Sequence, residues 1–151
     1  MPQSLAKIYL HIIFSTKERI PFLADKEVRR ETHVYLAGTC RELGAPAVTV
    51  GGVADHVHLI CTMSRTMTVA DFVRDIKRTS SSRLKQRSDA TDNFHWQSGY
   101  GVFSVSPSHV GALKKYIVQQ EEHHRQTSFQ DEFRRIMQKY DIEYDERYVW
   151  D

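Results

Sequence analysis

The chain has 151 residues, of which 40% are hydrophobic and 26% charged, with a net charge of +2 and a sequence pI of about 8.6. This composition excludes a disordered chain, and the length suffices for one domain with its own core. The net charge is too small to indicate nucleic-acid binding by itself. A DNA-binding protein of this composition must concentrate its positive charge on one face.

The sequence carries no signal for a membrane or for export. No apolar run is long enough to cross a bilayer, and the apolar N-terminal stretch contains His11 and lacks a small-residue cleavage site. The two cysteines, Cys40 and Cys61, are far apart and form no pair with metal-ligand spacing. These features predict a cytoplasmic protein with reduced thiols and no membrane partner.

Apolar, β-branched runs alternate with helical patterns along the chain. The predicted elements are, in order, a strand over 4–16, a helix over 26–43, strands over 46–52 and 56–63, a helix over 69–87, a strand over 100–106, and helices over 107–126 and 129–140. Gly44 is a stop signal for the first helix, and Thr68 with Asp71 forms a capping box for the second. Pro107 suits the first turn of the third.

This order predicts an α+β fold of the ferredoxin-like type. The β-α-β-β-α-β pattern is that of a split arrangement, in which helices pack on one face of an antiparallel sheet. The helices after residue 106 are additions to that unit. With no internal repeat and no low-complexity linker, the sequence predicts a single domain over 1–151.

Two histidines lie on the third predicted strand, in the stretch DHVHLI. Residues two apart on a strand share a face, so His56 and His58 present their imidazoles side by side while Val57 and Leu59 point into the core. The pair suits a metal ion, since imidazole is the commonest protein ligand for one, but it is also found as ordinary hydrogen-bonded histidines. Two ligands are an incomplete metal site, so the rest of the chain must supply others.

A second polar group lies on the third predicted helix. Tyr116 and Gln120 are four residues apart and therefore on one helix face, and His123 follows one turn later. Taken alone, this is the pattern of a half-buried tyrosine. Together with the histidine pair, two imidazoles and an amide oxygen could bind one divalent ion and leave coordination positions open for substrate.

Three segments, DHVHLI, WQSGYGVFSVS and VGALKKYIVQQEEHHR, resemble the small single-tyrosine transposases of simple bacterial and archaeal insertion sequences, members of the His-hydrophobic-His (HUH) superfamily. The resemblance extends over nearly the whole chain. It implies that the added helix is catalytic and that Tyr116 attacks a DNA phosphate. It also implies that His56, His58 and Gln120 bind a divalent metal, Mg²⁺ or Mn²⁺. The expected product is a 5′-phosphotyrosine and a free 3′-OH, which allows rejoining without ATP.

The resemblance also implies the partners, which are single-stranded DNA with hairpins at the element ends and a second copy of the chain in a homodimer. Basic residues and one aromatic residue are the candidate DNA contacts, namely Lys17, Arg19, Arg74, Lys77, Arg78, Arg83, Trp96, Lys114 and Lys115. Whether Tyr116 serves its own subunit or the other stays open.

Other interpretations remain at this stage. One is a host protein that binds hairpin DNA or nicks single strands with the same site. Another is a non-catalytic ferredoxin-like module whose histidines are structural. Rival nucleophiles are Tyr140, Tyr144 and Tyr148, which lack a neighbouring ligand residue in the sequence.

Overall fold

Four strands form one antiparallel sheet in the order β2-β3-β1-β4. The strands are β1 (Tyr9–Ser15), β2 (Ala47–Gly52), β3 (His56–Thr62) and β4 (Gly101–Val105). The computed structural model describes residues 2–151. The sheet order, in which β3 lies between β1 and β2, confirms the predicted split topology.

Five helices accompany the sheet: α1 (Lys26–Glu42), α2 (Val69–Arg87), α3 (Val110–Val118), the short α4 (Gln120–His123) and α5 (Phe129–Lys139). The first two and the last agree with prediction to within a residue. Over residues 2–151, none of these helices combines the length and the apolarity needed to cross a membrane.

Alternation along the central strand β1 separates two faces of the sheet. Leu10, Ile12 and Phe14 belong to the main core, which contains the buried apolar side chains of α1 and α2. Ile13, one residue out of phase, packs with Phe133 of α5 on the opposite face. The added C-terminal helix α5 therefore covers the face that the ferredoxin-like unit leaves open.

Local signals set the helix ends as predicted. After α1, Gly44 takes a φ of 75°, its N–H donates to the carbonyl of Arg41, and the N–H of Ala45 donates to that of Cys40. This is the Schellman arrangement, which favours glycine because φ is positive. At the start of α2, the Thr68 hydroxyl accepts a hydrogen bond from the N–H of Asp71 at 3.1 Å.

Strand β1 is shorter than predicted, since it begins at Tyr9 and not at residue 4. Tyr9 pairs with Thr62 of β3 and with Val105 of β4, which are the last residues of those strands. Residues 2–8 therefore have no neighbouring strand, and they are exposed. Apolar, β-branched character alone does not form a strand without a pairing partner.

The single long helix predicted over 107–126 is wrong. A 3₁₀ turn occupies Pro107–His109, and the helix breaks at Gln119, whose φ and ψ are −93° and 18°. The next residue, Gln120, is only 1% exposed and hydrogen-bonds to two other elements. We infer that these contacts outweigh the local preference for a continuous helix.

His33 on α1 makes the stability of the fold sensitive to acid. Burial, with Arg29 nearby, lowers its pKa to about 4, and its Nε2 atom has no hydrogen-bond partner within residues 2–151. Between pH 6.5 and 4 the unfolded chain binds a proton at this residue and the folded chain does not, so stability falls as pH falls.

The replacement His33→Gln is therefore expected to reduce the loss of unfolding free energy between pH 7 and pH 5 by about 1–2 kcal/mol. Urea unfolding at the two pH values measures it. The exposed His95→Gln is the control and should behave as the parent protein does. An unchanged pH dependence in His33→Gln would show that His33 does not carry this effect.

Candidate active site

The two strand histidines lie on the face of the sheet that α5 covers. Both His56 and His58 are 0% exposed, while Val57 and Leu59 point into the main core. This is the predicted alternation. The imidazoles are neighbours, with ring centroids 5.3 Å apart, so the strand presents them to one site.

A second residue orients each imidazole through its Nδ1 atom. His56 Nδ1 lies 2.7 Å from Asp55 Oδ1, and His58 Nδ1 lies 2.8 Å from Nε2 of His11 on the neighbouring strand β1. With Nδ1 engaged in this way, the Nε2 atoms of His56 and His58 both remain available to the site.

The segment from α3 to α4 brings in the tyrosine and the glutamine. Gln120 Oε1 lies 3.2 Å from His56 Nε2. The Tyr116 hydroxyl lies 3.0 Å from His123 Nε2, and its ring contacts His58 edge-on with centroids 6.2 Å apart. His56, His58, Tyr116 and Gln120 thus converge within a single chain.

Glu132 of α5 lies at the centre of this group and is 3% exposed. One carboxylate oxygen, Oε1, lies 2.8 Å from His58 Nε2. The other, Oε2, accepts a hydrogen bond from the Tyr116 hydroxyl and lies 3.2 Å from His124 Nε2. The carboxylate therefore contacts both the histidine cluster and the tyrosine.

The charges of the site are strongly coupled. Burial alone would lower the pKa of His56, but its hydrogen bonds to Asp55 and Glu132 raise it to about 8. Burial would likewise raise the pKa of Glu132, but the surrounding histidines hold it well below its usual range. Burial and the adjacent Glu132 carboxylate raise the pKa of the Tyr116 phenol above its usual value.

A divalent ion fits this donor set. His56, His58, His124 and Glu132 each place one ligand atom so that all four atoms lie within 4.8 Å of one another. Three imidazole nitrogens and a carboxylate oxygen are a common ligand set for a divalent transition ion. The phenol of Tyr116 is next to this set, so the arrangement suits nucleophilic attack beside a bound cation.

The sequence analysis missed His11, Asp55, His124 and Glu132. A signal for Glu132 exists, because Phe129, Glu132, Phe133 and Met137 are all buried on one face of α5. A carboxylate inside an apolar helical stripe indicates a buried charge with a specific partner. A signal for His124 exists as well, because it lies four residues after Gln120 and its N–H donates to the Gln120 carbonyl at 2.9 Å, which places the two residues on one helical face.

A profile of the family described as "Transposase IS200 like" matches residues 4–120, which is most of the chain. The chain belongs to this family. The matched region includes β1, β3 and α3, which contribute to the site. It ends at Gln120, before His124 and Glu132.

Two similar proteins support the assignment of the chain to this transposase family. The ISDra2 transposase TnpA of Deinococcus radiodurans is 25% identical over 115 residues, which are 73% of this chain and 81% of that protein. A crystal structure of a protein from Deinococcus radiodurans R1, assigned as a transposase, superposes with a TM-score of 0.60 at 27% identity. The superposition covers 80% of this chain and 95% of the other.

A third protein shares the fold alone. It is a REP-associated tyrosine transposase whose structure was determined bound to a REP hairpin. The TM-score is 0.58 at 14% identity, and the similarity covers 82% of this chain and 73% of that one.

Two of the predicted DNA contacts of this transposase, Trp96 and Lys77, make contacts within the protein itself. Trp96 is 8% exposed, packs edge-on against Phe14, and donates its indole N–H to the Ser80 hydroxyl at 2.9 Å. Its ring therefore offers no free face for stacking on a base. The Lys77 ammonium donates to the carbonyl of Gln97 at 2.8 Å, and burial lowers its pKa to about 8.

The other candidates lie at the surface and stay predictions. Arg74 and Arg78 on α2 pair with Asp75 at 3.2 and 3.4 Å, so part of their charge is balanced. The Arg83 guanidinium covers the ring of Tyr35 at 4.9 Å. The remaining members of the set are accessible, namely Lys17, Arg19, Lys114 and Lys115.

Proposed function

We propose that this protein cleaves and rejoins single-stranded DNA at insertion-sequence ends, with Tyr116 as the nucleophile. The observation that carries the proposal is the meeting of Tyr116 with His56, His58 and Gln120 in one buried site. Gln120 Oε1 is 3.2 Å from His56 Nε2, and the Tyr116 ring contacts His58. Family membership supports the transposase activity as a class.

The site fits a divalent ion, Mg²⁺ or Mn²⁺. His56 and His58 would bind it through Nε2, since both Nδ1 atoms are engaged elsewhere, and Gln120 would supply an amide oxygen. When bound, the ion would polarise the scissile phosphate and offset the charge that develops on it. Asp55 and His11 keep the two imidazoles in the orientation that this requires.

Tyr116 carries out the covalent step. A bond forms between its phenol oxygen and phosphorus while the bond to the 3′ oxygen breaks, which leaves a 5′-phosphotyrosine and a 3′-OH after protonation of the leaving oxygen. Attack by a 3′-OH in the reverse direction rejoins DNA and restores the phenol. The covalent bond conserves the energy of the cleaved phosphodiester, so strand exchange needs no ATP.

Burial and Glu132 together keep the tyrosine protonated before cleavage. Burial raises the pKa of Tyr116, and Glu132 raises it further, because it accepts a hydrogen bond from the phenol O–H and its negative charge opposes the formation of a phenolate. The phenol is therefore a poor nucleophile in this arrangement. A positive charge next to Glu132 would weaken this opposition and leave the carboxylate placed to take the proton.

DNA would reach Tyr116 through the cleft between β4, α3 and α5. This cleft has a volume of about 530 Å³ and is lined by Tyr116, Tyr140, His109 and Lys139.

Lys139→Ala is expected to weaken binding of a single-stranded oligonucleotide and to reduce the slope of log affinity against log salt by about 0.7, the value for one phosphate contact on a single strand. Lys85→Ala, an exposed lysine on α2, is the control, and an unchanged slope in Lys139→Ala would place the strand elsewhere.

The same contacts favour cleavage in cis, because Tyr116 meets His58 and Glu132 of its own chain. The homodimer stays a prediction. A mixture of Tyr116→Phe and His58→Gln proteins is expected to form the covalent DNA adduct no faster than His58→Gln alone, since neither chain has a complete site. Faster adduct formation in the mixture would show that one subunit supplies the tyrosine to the other.

The test of the proposed function is a covalent adduct on a denaturing gel. The full chain is incubated with Mn²⁺ or Mg²⁺ and single-stranded DNA carrying the ends of its own element. An adduct that requires the metal and is absent from Tyr116→Phe supports a phosphotyrosine nuclease. No adduct on matched ends would favour a DNA-binding module. An adduct in Tyr116→Phe would show that a different tyrosine is the nucleophile.

A further inference from the structure

We propose that the ion of this site is held by four side chains, His56, His58, His124 and Glu132, so that the segment after residue 120 closes the metal site before DNA binds. The proposal deepens the proposed function, on which it rests for the ion's role in cleavage. The ligand set predicted from the sequence was His56, His58 and Gln120. This proposal replaces Gln120 by His124 and Glu132, which lie outside the region that matches the family. In it, Gln120 orients His56 and Glu132 and is not needed to retain the ion.

The first support is the orientation of the third histidine. Nδ1 of His124 lies 2.6 Å from the carbonyl oxygen of Thr127, so Nδ1 must carry the proton, because a carbonyl only accepts. His56 is held in the same way by the Asp55 carboxylate. His58 makes its Nδ1 contact with His11. All three histidines thus direct Nε2 to one point, and holding Nδ1 by an acceptor is the usual arrangement of metal-bound histidines.

The second support is an unsatisfied atom. His124 Nε2 is buried and has no hydrogen-bond partner within residues 2–151, although Glu132 Oε2 is only 3.2 Å away. The contact has the distance of an ion pair but not the direction of a hydrogen bond. A buried polar atom without a partner is unfavourable, and a cation between the two groups would satisfy it.

The third support is the spacing of the ligand atoms. Around a tetrahedral ion with bonds of about 2.1 Å, ligand atoms are about 3.4 Å apart. Here Glu132 Oε1 is 2.8 Å from His58 Nε2 and 3.5 Å from His56 Nε2, and all four atoms lie within 4.8 Å. Small side-chain rotations would therefore suffice to receive an ion.

The ligand types also predict which ions bind. Three imidazole nitrogens and one carboxylate favour Mn²⁺, Co²⁺ or Zn²⁺ over Mg²⁺, which prefers oxygen ligands and retains its water. We therefore expect the full chain to bind one transition ion without DNA, and Mg²⁺ to be a weak competitor.

The experiment is a titration of the metal-free full chain with Co²⁺, without DNA, followed by visible absorption. The proposal predicts one site with the intense absorption of a four- or five-coordinate ion. Glu132→Gln and His124→Gln should each weaken Co²⁺ binding by at least about tenfold, the smallest loss found even for residues that only support a ligand. Glu122→Gln and His95→Gln, at exposed positions, are the matched controls, and Gln120→Ala should keep the binding.

A second measurement does not depend on the variants folding. In the parent protein, ¹⁵N NMR of the histidine rings during Zn²⁺ addition should show coordination shifts at Nε2 of three rings, one of them His124. Shifts at two rings only, or weakened binding in Gln120→Ala with normal binding in Glu132→Gln, would overturn the four-ligand site.

The two proposals can fail separately. If no ion binds without DNA while the metal-dependent adduct still forms, the four side chains are an ionic network and the closed site is wrong, but the nuclease stands. If the ion binds as predicted and no adduct forms on matched ends, the metal site stands and the proposed function is wrong.

Discussion

A protein carrying His58→Gln is expected to form the covalent DNA adduct at least about 100-fold more slowly than the parent protein, since even residues that only support a metal ligand can contribute that much. His58 is fully buried, and its Nε2 atom is 2.8 Å from Glu132 in the centre of the site. Glutamine cannot place a comparable donor at that point, because its side chain lacks the second ring nitrogen that His11 orients. The measurement is the initial rate of adduct formation at a fixed Mn²⁺ concentration.

The control for this substitution is His95→Gln. His95 is exposed and lies outside the histidine cluster. It should retain the parental rate to within a factor of about two. Raising the Mn²⁺ concentration should recover part of the activity of His58→Gln if the loss lies in ion binding. An unchanged rate in His58→Gln would contradict the assignment of the site.

The second large effect is expected at a glycine that touches no catalytic group. Gly51 of β2 lies directly beneath α3, and a Cβ atom added there would be 2.7 Å from Ile117 Cγ2 and 2.9 Å from the Ile117 carbonyl oxygen. The carbonyl belongs to the helix backbone and cannot swing aside. Gly51→Ala should therefore shift α3 and with it Tyr116, which immediately precedes Ile117 in that helix.

Two measurements are expected to change in Gly51→Ala. Overpacking should lower the unfolding free energy by about 1–3 kcal/mol. Misplacement of the tyrosine should reduce adduct formation at least about tenfold under conditions where the protein is still folded, because displacements of about 1 Å can cost 100-fold. Urea unfolding and the adduct assay measure the two effects.

Gly111→Ala is the matched control, since it makes the same chemical change within α3 itself. A Cβ atom there has no neighbour within 4 Å, so the substitution should keep activity and stabilise the helix by about 0.5–1 kcal/mol. Equal adduct rates in the two variants would show that the close packing of α3 on β2 does not position Tyr116.

The parts of the fold that the sequence predicted are those with a strong local signal. Alternation along β1 and β3 fixes which side chains face the core, and the Gly44 and Thr68 signals fix helix ends. The same alternation placed His56 and His58 on one face. Tyr116 and Gln120 were singled out by their spacing, although the helix that relates them is interrupted between them at Gln119.

The parts that the sequence did not predict depend on contacts between distant segments. Glu132 lies 74 residues from its partner His58, and only the packing of α5 on the sheet brings the two together. Trp96 was a candidate DNA contact because an aromatic ring can stack on an unpaired base. In the structure it packs edge-on against Phe14 of β1 and against Phe94. Lys77 likewise binds backbone carbonyls that lie 20 or more residues away.

The measurement that tests the central claim most directly is the site of the covalent bond in the parent protein. After reaction with single-stranded DNA, nuclease trimming and trypsin digestion, mass spectrometry is used to find the peptide that carries a nucleotide. Tyr116 is the only tyrosine in the peptide YIVQQEEHHR, residues 116–125, while Tyr140 and Tyr144 share a different peptide and Tyr148 lies in a third. We predict a nucleotide on the peptide of Tyr116 alone, and only when a divalent metal is present. A nucleotide on the peptide of Tyr140 and Tyr144, or on that of Tyr148, would contradict the proposed nucleophile and with it this account of the site.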